Sequence, residues 1–152
     1  MSKLKQQYAS YQAKYKLPKY EDLNREFDID ADELSYPLRH IRKRMVETVD
    51  SYAKVLEDLM HPESGITTLY ECKILDDSGK ERVFMLYKKM MRLLRHSLAV
   101  SLLSSEKDDA AFIKDAYAEW LDIKKAYLPL ALELEATWAN DTDIHEQLSY
   151  FG

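Results

Sequence analysis

Glycine, proline and cysteine are all scarce in this chain of 152 residues, which has three glycines, four prolines and one cysteine. Three glycines are too few for the phosphate-binding loops and strained nucleophile turns on which many enzymes depend. A single cysteine excludes an intramolecular disulfide framework and a multi-cysteine zinc site. The composition therefore argues against loop-based catalysis and against a fold held together by disulfides or zinc.

Long apolar runs are missing as well. The first ten residues contain no apolar core of signal-peptide length, and the longest uncharged apolar run covers only 96–105. Spanning a bilayer takes roughly 20 apolar residues. We therefore expect no membrane segment and a cytoplasmic location. The length suits one domain, because a chain of roughly 150 residues buries about 70% of the surface that its unfolded form exposes.

Helix-forming sequence, by contrast, is abundant. Residues 80–128 contain neither glycine nor proline, and apolar side chains recur at helical spacing along most of the chain. We predict an all-α fold, a single helical bundle of about four main helices with shorter N- and C-terminal helical pieces. Its parts are a tyrosine-rich amphipathic helix or arm at 1–17, a bundle core at 18–139 and a tail at 140–152. The second long helix should run from near Pro37 to Met60, with an apolar stripe formed by Leu38, Ile41, Met45, Val49, Tyr52, Leu56 and Leu59. The fourth should carry the apolar band Phe112, Ala116, Trp120, Ile123, Tyr127, Leu130, Leu134 and Trp138, with a kink or a break at Pro129.

The segment 66–75 is ambiguous. Its apolar residues fit a helix, but Tyr70, Cys72 and Ile74 alternate as they would in a strand, which could form a small β-hairpin across 66–85. We favour the helix, because a lone hairpin would need another surface for stability.

The helix predicted at 81–103 is apolar around more than half of its circumference. Its predicted core face consists of Phe84, Tyr87, Met91, Leu94, Leu98 and Leu102, and the arc is widened by Val83, Met90, Leu93 and Val100. A helix this apolar is usually central to a bundle. If the chain cannot cover the widening residues itself, a partner must cover them, which makes Met90 and Leu93 candidate partner-binding residues.

The N-terminal segment places Leu4, Tyr8, Tyr11 and Tyr15 on one narrow helical stripe, among five lysines in residues 1–20. Tyrosines at this spacing usually pack a helix onto a bundle or a partner. Aromatic residues among lysines can also stack on single-stranded nucleic acid. We favour packing, and we predict Tyr8, Tyr11 and Tyr15 as partner-binding residues on a helix that could act as an arm.

The net charge of −5 conceals separate blocks of opposite sign. Residues 21–33 contain seven acids and one arginine, whereas residues 82–105 contain five cations and no acid. A helical nucleic-acid-binding protein would use such cations against phosphates. The candidate polyanion-binding residues are Arg39, Lys43, Lys88, Lys89, Arg92 and Arg95.

Internal pairing is the alternative that we favour for the basic stripe at 82–105. If the third and fourth helices fold back as an antiparallel hairpin, Arg92 lies level with Glu119 and Arg95 lies level with Asp115 or Glu119. Lys88 or Lys89 would then lie near Asp122. For the cluster 39–44 we favour a solvated face with ordinary pairs such as Lys43–Glu47 and Asp50–Lys54, and docking against the acidic stretch 28–33 is a further alternative.

No residue pattern is specific to catalysis, to a cofactor or to a metal. The four histidines lie outside any HExxH motif, and Cys72 has no partner in the sequence that would activate it. We therefore predict no catalytic, cofactor-binding or metal-binding residues. The expected function is non-enzymatic protein–protein interaction, as an adaptor, a subunit of a complex or a small homo-oligomer. Nucleic-acid binding through the basic helix faces is the alternative.

Overall fold

The computed structural model describes residues 2–61 and 65–139. Its elements are helices α1 (Lys3–Tyr15), α2 (Tyr20–Phe27), α3 (Pro37–Met60) and α4 (Ile66–Glu71), a 3-10 helix (Cys72–Ile74), and helices α5 (Asp77–Leu103) and α6 (Glu106–Ala139). No strand occurs in these residues, so the predicted all-α class is confirmed and the alternative of a β-hairpin is wrong. The predicted C-terminal helical piece at 140–152 lies outside the described residues.

The three longest helices, α3, α5 and α6, form the centre of the fold. The turn at 104–105 reverses the chain, so α5 and α6 run antiparallel. Helices α3 and α6 run parallel, since Arg42 contacts Asp109 and, further along both helices, Tyr127 donates a hydrogen bond to the carbonyl of Tyr52. Helices α1 and α2 pack on α3, and α1 also packs on α6.

The apolar faces predicted for the second and fourth long helices form most of the core. The buried members are Leu38, Ile41, Met45, Val49, Leu56 and Leu59 of α3, and Phe112, Ala116, Trp120, Ile123, Tyr127, Leu130 and Leu134 of α6. Tyr52 is more exposed than predicted, although its ring contacts that of Trp120. We expected a kink or a break at Pro129, but helix α6 continues through this residue. The prediction of a break is therefore wrong.

The apolar residues that we placed at the edge of the arc of helix α5 face the core of the bundle. The buried inner face of α5 consists of Val83, Leu86, Met90, Leu93 and Val100, together with Ser97. Phe84, Leu98 and Leu102, which we placed in the core, are exposed. The predicted core face was therefore wrong by roughly 100°, which is one residue of helix rotation. Both arcs are apolar, so hydrophobicity alone does not decide between them.

Helix α5 also begins earlier than predicted. The side chain of Asp76 accepts a hydrogen bond from the backbone N–H of Gly79 at 2.6 Å and caps the helix. Because this cap satisfies an N–H that has no partner inside the helix, the polar residues 77–80 join the first turn.

Candidate functional site

Helix α5 carries a line of exposed and half-exposed apolar side chains, which we name the outer stripe. It consists of Phe84, Tyr87, Met91, Leu94, Leu98 and Leu102. Phe84 is 52% exposed, Leu98 is 57% exposed and Leu102 is 82% exposed. Spacings of three and four residues keep the stripe on one side of the helix over roughly 27 Å. Contiguous exposed apolar surface of this kind is typical of interaction sites.

A groove between α3 and α5 lies beside the C-terminal half of the outer stripe. It has a volume of about 430 Å³. Its apolar lining comes from Val46 on α3 and from Leu94 and Leu98 on α5, and its charged lining includes Lys43 and Arg95. The groove therefore extends the apolar surface of the outer stripe onto a second helix and places cations at its edges.

A buried arginine that we left out of every candidate site contributes to this groove. Arg42 is 3% exposed, and its Nε donates to Oδ1 of Asp109 at 2.7 Å. Its Nη1 donates to Oγ of Ser97 at 2.7 Å and to Oγ of Ser101 at 2.9 Å. These bonds connect α3, α5 and α6, and they give the buried charge of Arg42 the polar partners that it requires. They turn Ser97 inward and leave Leu98 outside.

The sequence held one signal for this cluster, two serines one turn apart on an otherwise apolar helix face. Hydroxyl groups at Ser97 and Ser101 need a polar partner if that face is buried. The partner lies 55 or more residues earlier in the chain, so helical periodicity could not identify it.

The predicted polyanion-binding residues have different environments. Arg92 pairs with Glu119, which confirms the internal pairing predicted for these two residues. The guanidinium of Arg39 stacks over the ring of Tyr36 at 4.3 Å from its centroid. Lys43 and Arg95 meet at the α3–α5 groove. The six candidates therefore do not form one basic patch.

Four of these cations are free of ion pairs within residues 2–61 and 65–139, namely Lys43, Lys88, Lys89 and Arg95. The pairs predicted for Arg95 with Asp115 or Glu119, and for Lys88 or Lys89 with Asp122, are therefore wrong in this part of the chain. Each of the four residues is exposed. Lys88 and Arg95 lie two helical turns apart on one side of α5, and Arg95 also lines the α3–α5 groove.

The two carboxylates of the groove are already paired with cations of α3. Glu47 accepts from Arg44 at 2.6 Å, so the predicted pair of Lys43 with Glu47 is wrong in this part of the chain. Asp50 pairs with Lys54 at 3.1 Å, which confirms a predicted pair. Arg44 also reaches Asp28, which confirms contact between the cluster 39–44 and the acidic stretch 28–33. The uncompensated charge at the groove is therefore positive.

The other predicted partner-binding residues are mostly core residues. Tyr8, Met90 and Leu93 are at most 1% exposed, so predicting them as partner-binding residues was wrong. The hydroxyl of Tyr8 donates to the carbonyl of Pro18, and burial raises the pKa of Tyr8 well above its ordinary value. Helix α1 is packed on the bundle rather than extended as an arm, because Leu4 and Tyr8 are buried under it.

Tyr11 and Tyr15 are half-buried at the start of α6. The hydroxyl of Tyr15 donates to Oε2 of Glu106 at 2.6 Å, and this hydrogen bond holds the pKa of Glu106 below its ordinary value. Tyr11 and Arg39 line a pocket of about 240 Å³. Since Glu106 and Asp109 also line it, an anionic ligand is disfavoured there.

Neither a metal-binding cluster nor a membrane-spanning helix is found in the described part of the chain. In 2–61 and 65–139, no three His, Cys, Asp or Glu side chains are grouped so that they could hold a metal ion. No helix in these ranges has both the length and the apolarity needed to cross a bilayer. Comparisons with protein-family models, curated proteins and solved structures gave no significant match.

Proposed function

We propose that this chain is a non-enzymatic protein–protein interaction module whose outer stripe and α3–α5 groove bind a partner protein. The exposure of Phe84, Leu98 and Leu102 carries the proposal, because α5 already buries its inner face. Covering a leucine or phenylalanine side chain fully is worth about 1.5–3 kcal/mol. Binding of a partner that covers the outer stripe is stabilised by this free energy, which is not available while the side chains remain in water.

Nucleic-acid binding is the second candidate, favoured by the four exposed cations that lack ion pairs in the described residues, Lys43, Lys88, Lys89 and Arg95. A phosphate backbone would use these charges but would leave Leu98 and Leu102 in water. Arg92, already held by Glu119, would have to exchange one carboxylate for another anion. A protein partner therefore uses more of this surface than a nucleic acid does.

The test is affinity capture from the native cell with two matched double variants. Leu98→Gln/Leu102→Gln removes the apolar side chains of the outer stripe. Leu128→Gln/Leu132→Gln changes two leucines of α6, 58% and 55% exposed, that lie outside it. Glutamine and leucine have similar helix propensity, so both variants should keep the fold, which circular dichroism checks.

We expect the wild-type chain and the α6 variant to capture the same proteins, and the stripe variant to lose them. Nuclease treatment of the lysate should leave the result unchanged. Capture that is lost on nuclease treatment supports the nucleic-acid candidate instead. Capture that is equal for both double variants overturns the proposal that the outer stripe is the binding surface.

A further inference from the structure

We infer that the partner segment recognised by this chain is an acidic amphipathic helix, which lies along the outer stripe with part of its apolar face in the α3–α5 groove. This inference rests on the proposed function and specifies the chemistry of the partner. Three observations carry it: the shape of the surface, the backbone that surrounds it and the sign of its free charges.

The shape of the surface fits a helix. The outer stripe is a straight line of side chains three and four residues apart, and its length of roughly 27 Å equals that of a helix of about 18 residues. An amphipathic helix that docks in a groove presents anchors at the same three- and four-residue spacing. The side chains of the stripe and of such a helix can therefore interdigitate along their whole length.

The surrounding backbone disfavours an extended partner. A peptide that binds as an added strand needs an open sheet edge with free N–H and C=O groups. Both walls of the groove are helices, α3 and α5, whose backbone groups bond within each helix. The contacts offered to a partner are consequently side-chain contacts, which is the recognition mode of a helix in a groove.

The free charges select an acidic partner. Lys43 lines the groove from the α3 side and Arg95 lines it from the α5 side. Lys88 lies two helical turns before Arg95 on the same side of α5. The carboxylates of Glu47 and Asp50 are held by Arg44 and Lys54. A helix lying over the groove would have Lys43 along one flank and Arg95 and Lys88 along the other. Glutamate or aspartate at the flanks complements them, and lysine or arginine there is repelled.

A second copy of this chain fits the surface poorly. A two-fold interface places the same patch of both copies face to face. Residues 82–105 carry five cations and no acid, so Lys88 and Arg95 of one copy would lie against the cations of the other. Like charges brought together at an interface cost affinity, which favours a different, acidic protein over self-association.

Selection from a displayed helical peptide library tests the inference with the full chain as bait. The library keeps leucine and isoleucine at three- and four-residue spacing over about 20 residues. Each flanking position is drawn from glutamate, lysine and glutamine. We expect the selected helices to contain glutamate over lysine at the flanks by about tenfold.

Three variants of the bait sharpen the test. Lys43→Gln/Lys88→Gln/Arg95→Gln should still enrich helices but without the glutamate preference. Leu98→Gln/Leu102→Gln should enrich none, and Leu128→Gln/Leu132→Gln should match the wild type. Sedimentation of the chain alone should show a monomer at concentrations that saturate the selected peptides.

The outcomes separate this inference from the proposed function. Selection of helices with no charge preference, or with a lysine preference, overturns the acidic partner. If the selection enriches no helix whose binding depends on Leu98 and Leu102, the inference of a helical partner is overturned. A dimer that dissociates in the Leu98→Gln/Leu102→Gln variant shows that a second copy occupies the surface. In each case, stripe-dependent capture from cells would still support the proposed function.

Discussion

The buried Arg42–Asp109 pair is the feature of this fold whose removal has the most definite consequence. Arg42→Met keeps an unbranched apolar stem at the site but removes the guanidinium and its bonds to Asp109, Ser97 and Ser101. Asp109 is only 6% exposed and would keep a buried charge without a partner. Removing one member of a buried ion pair costs about 3–5 kcal/mol. A typical domain is stable by about 5–15 kcal/mol, so this loss is a large fraction of the total.

Urea unfolding followed by circular dichroism measures this loss as a change in midpoint at constant slope. Asp109→Asn in the Arg42→Met background removes the unpaired charge, so the double variant should lose less stability than the sum of the single variants. Arg44→Met is the matched surface control, because Arg44 pairs in solvent-exposed positions and should lose at most about 1 kcal/mol. The reasoning is refuted if Arg42→Met costs no more than Arg44→Met, or if the double variant is strictly additive.

Three further substitutions test other contacts of the fold. Glu106→Gln tests the hydrogen bond that Glu106 accepts from Tyr15. The pKa of Glu106 is lowered in the folded chain, so the contribution of its carboxylate to stability is present above the ordinary pKa of 4.5. This contribution disappears as the pH falls through the lowered value. Thermal unfolding should therefore show a less stable variant near pH 7 and a difference that shrinks as the pH falls below 4.5, and a gap independent of pH would contradict this. Asp76→Ala removes the cap of α5 and should cost about 0.5–2 kcal/mol in urea unfolding, with no cost meaning that the cap is dispensable. Tyr127→Phe removes the bond to the carbonyl of Tyr52 and should cost about 0.5–1.5 kcal/mol; an equally stable variant would show that water replaces the hydroxyl.

The sequence predicted α3 and α6 well because each has one apolar arc. Ile41, Met45 and Leu56 repeat on one side of α3, and polar residues occupy the other side, so the buried face has a single solution. The pair Arg92–Glu119 was predictable because the short turn between α5 and α6 sets their register. Pairing further from that turn, at Lys88 and Lys89, was predicted wrongly.

The orientation of α5 and the candidate site were not predictable from local pattern. Leu93 and Leu94 both belong to apolar arcs, and the contact of Ser97 with Arg42 fits only the arc that contains Leu93. That contact joins two residues 55 positions apart in the chain, beyond the reach of helical periodicity. Met90 and Leu93 were consequently predicted on the partner surface, and Leu98 and Leu102 were predicted in the core.

Photo-cross-linking in the native cell tests most directly whether the outer stripe is the binding surface. A benzophenone side chain replaces Leu98 of the stripe in one variant and the equally exposed Leu128 of α6 in the other, their exposures being 57% and 58%. We predict that irradiation yields a discrete protein adduct at position 98 that is absent at position 128. No adduct at position 98, or the same adducts at both positions, would contradict the proposed interaction surface.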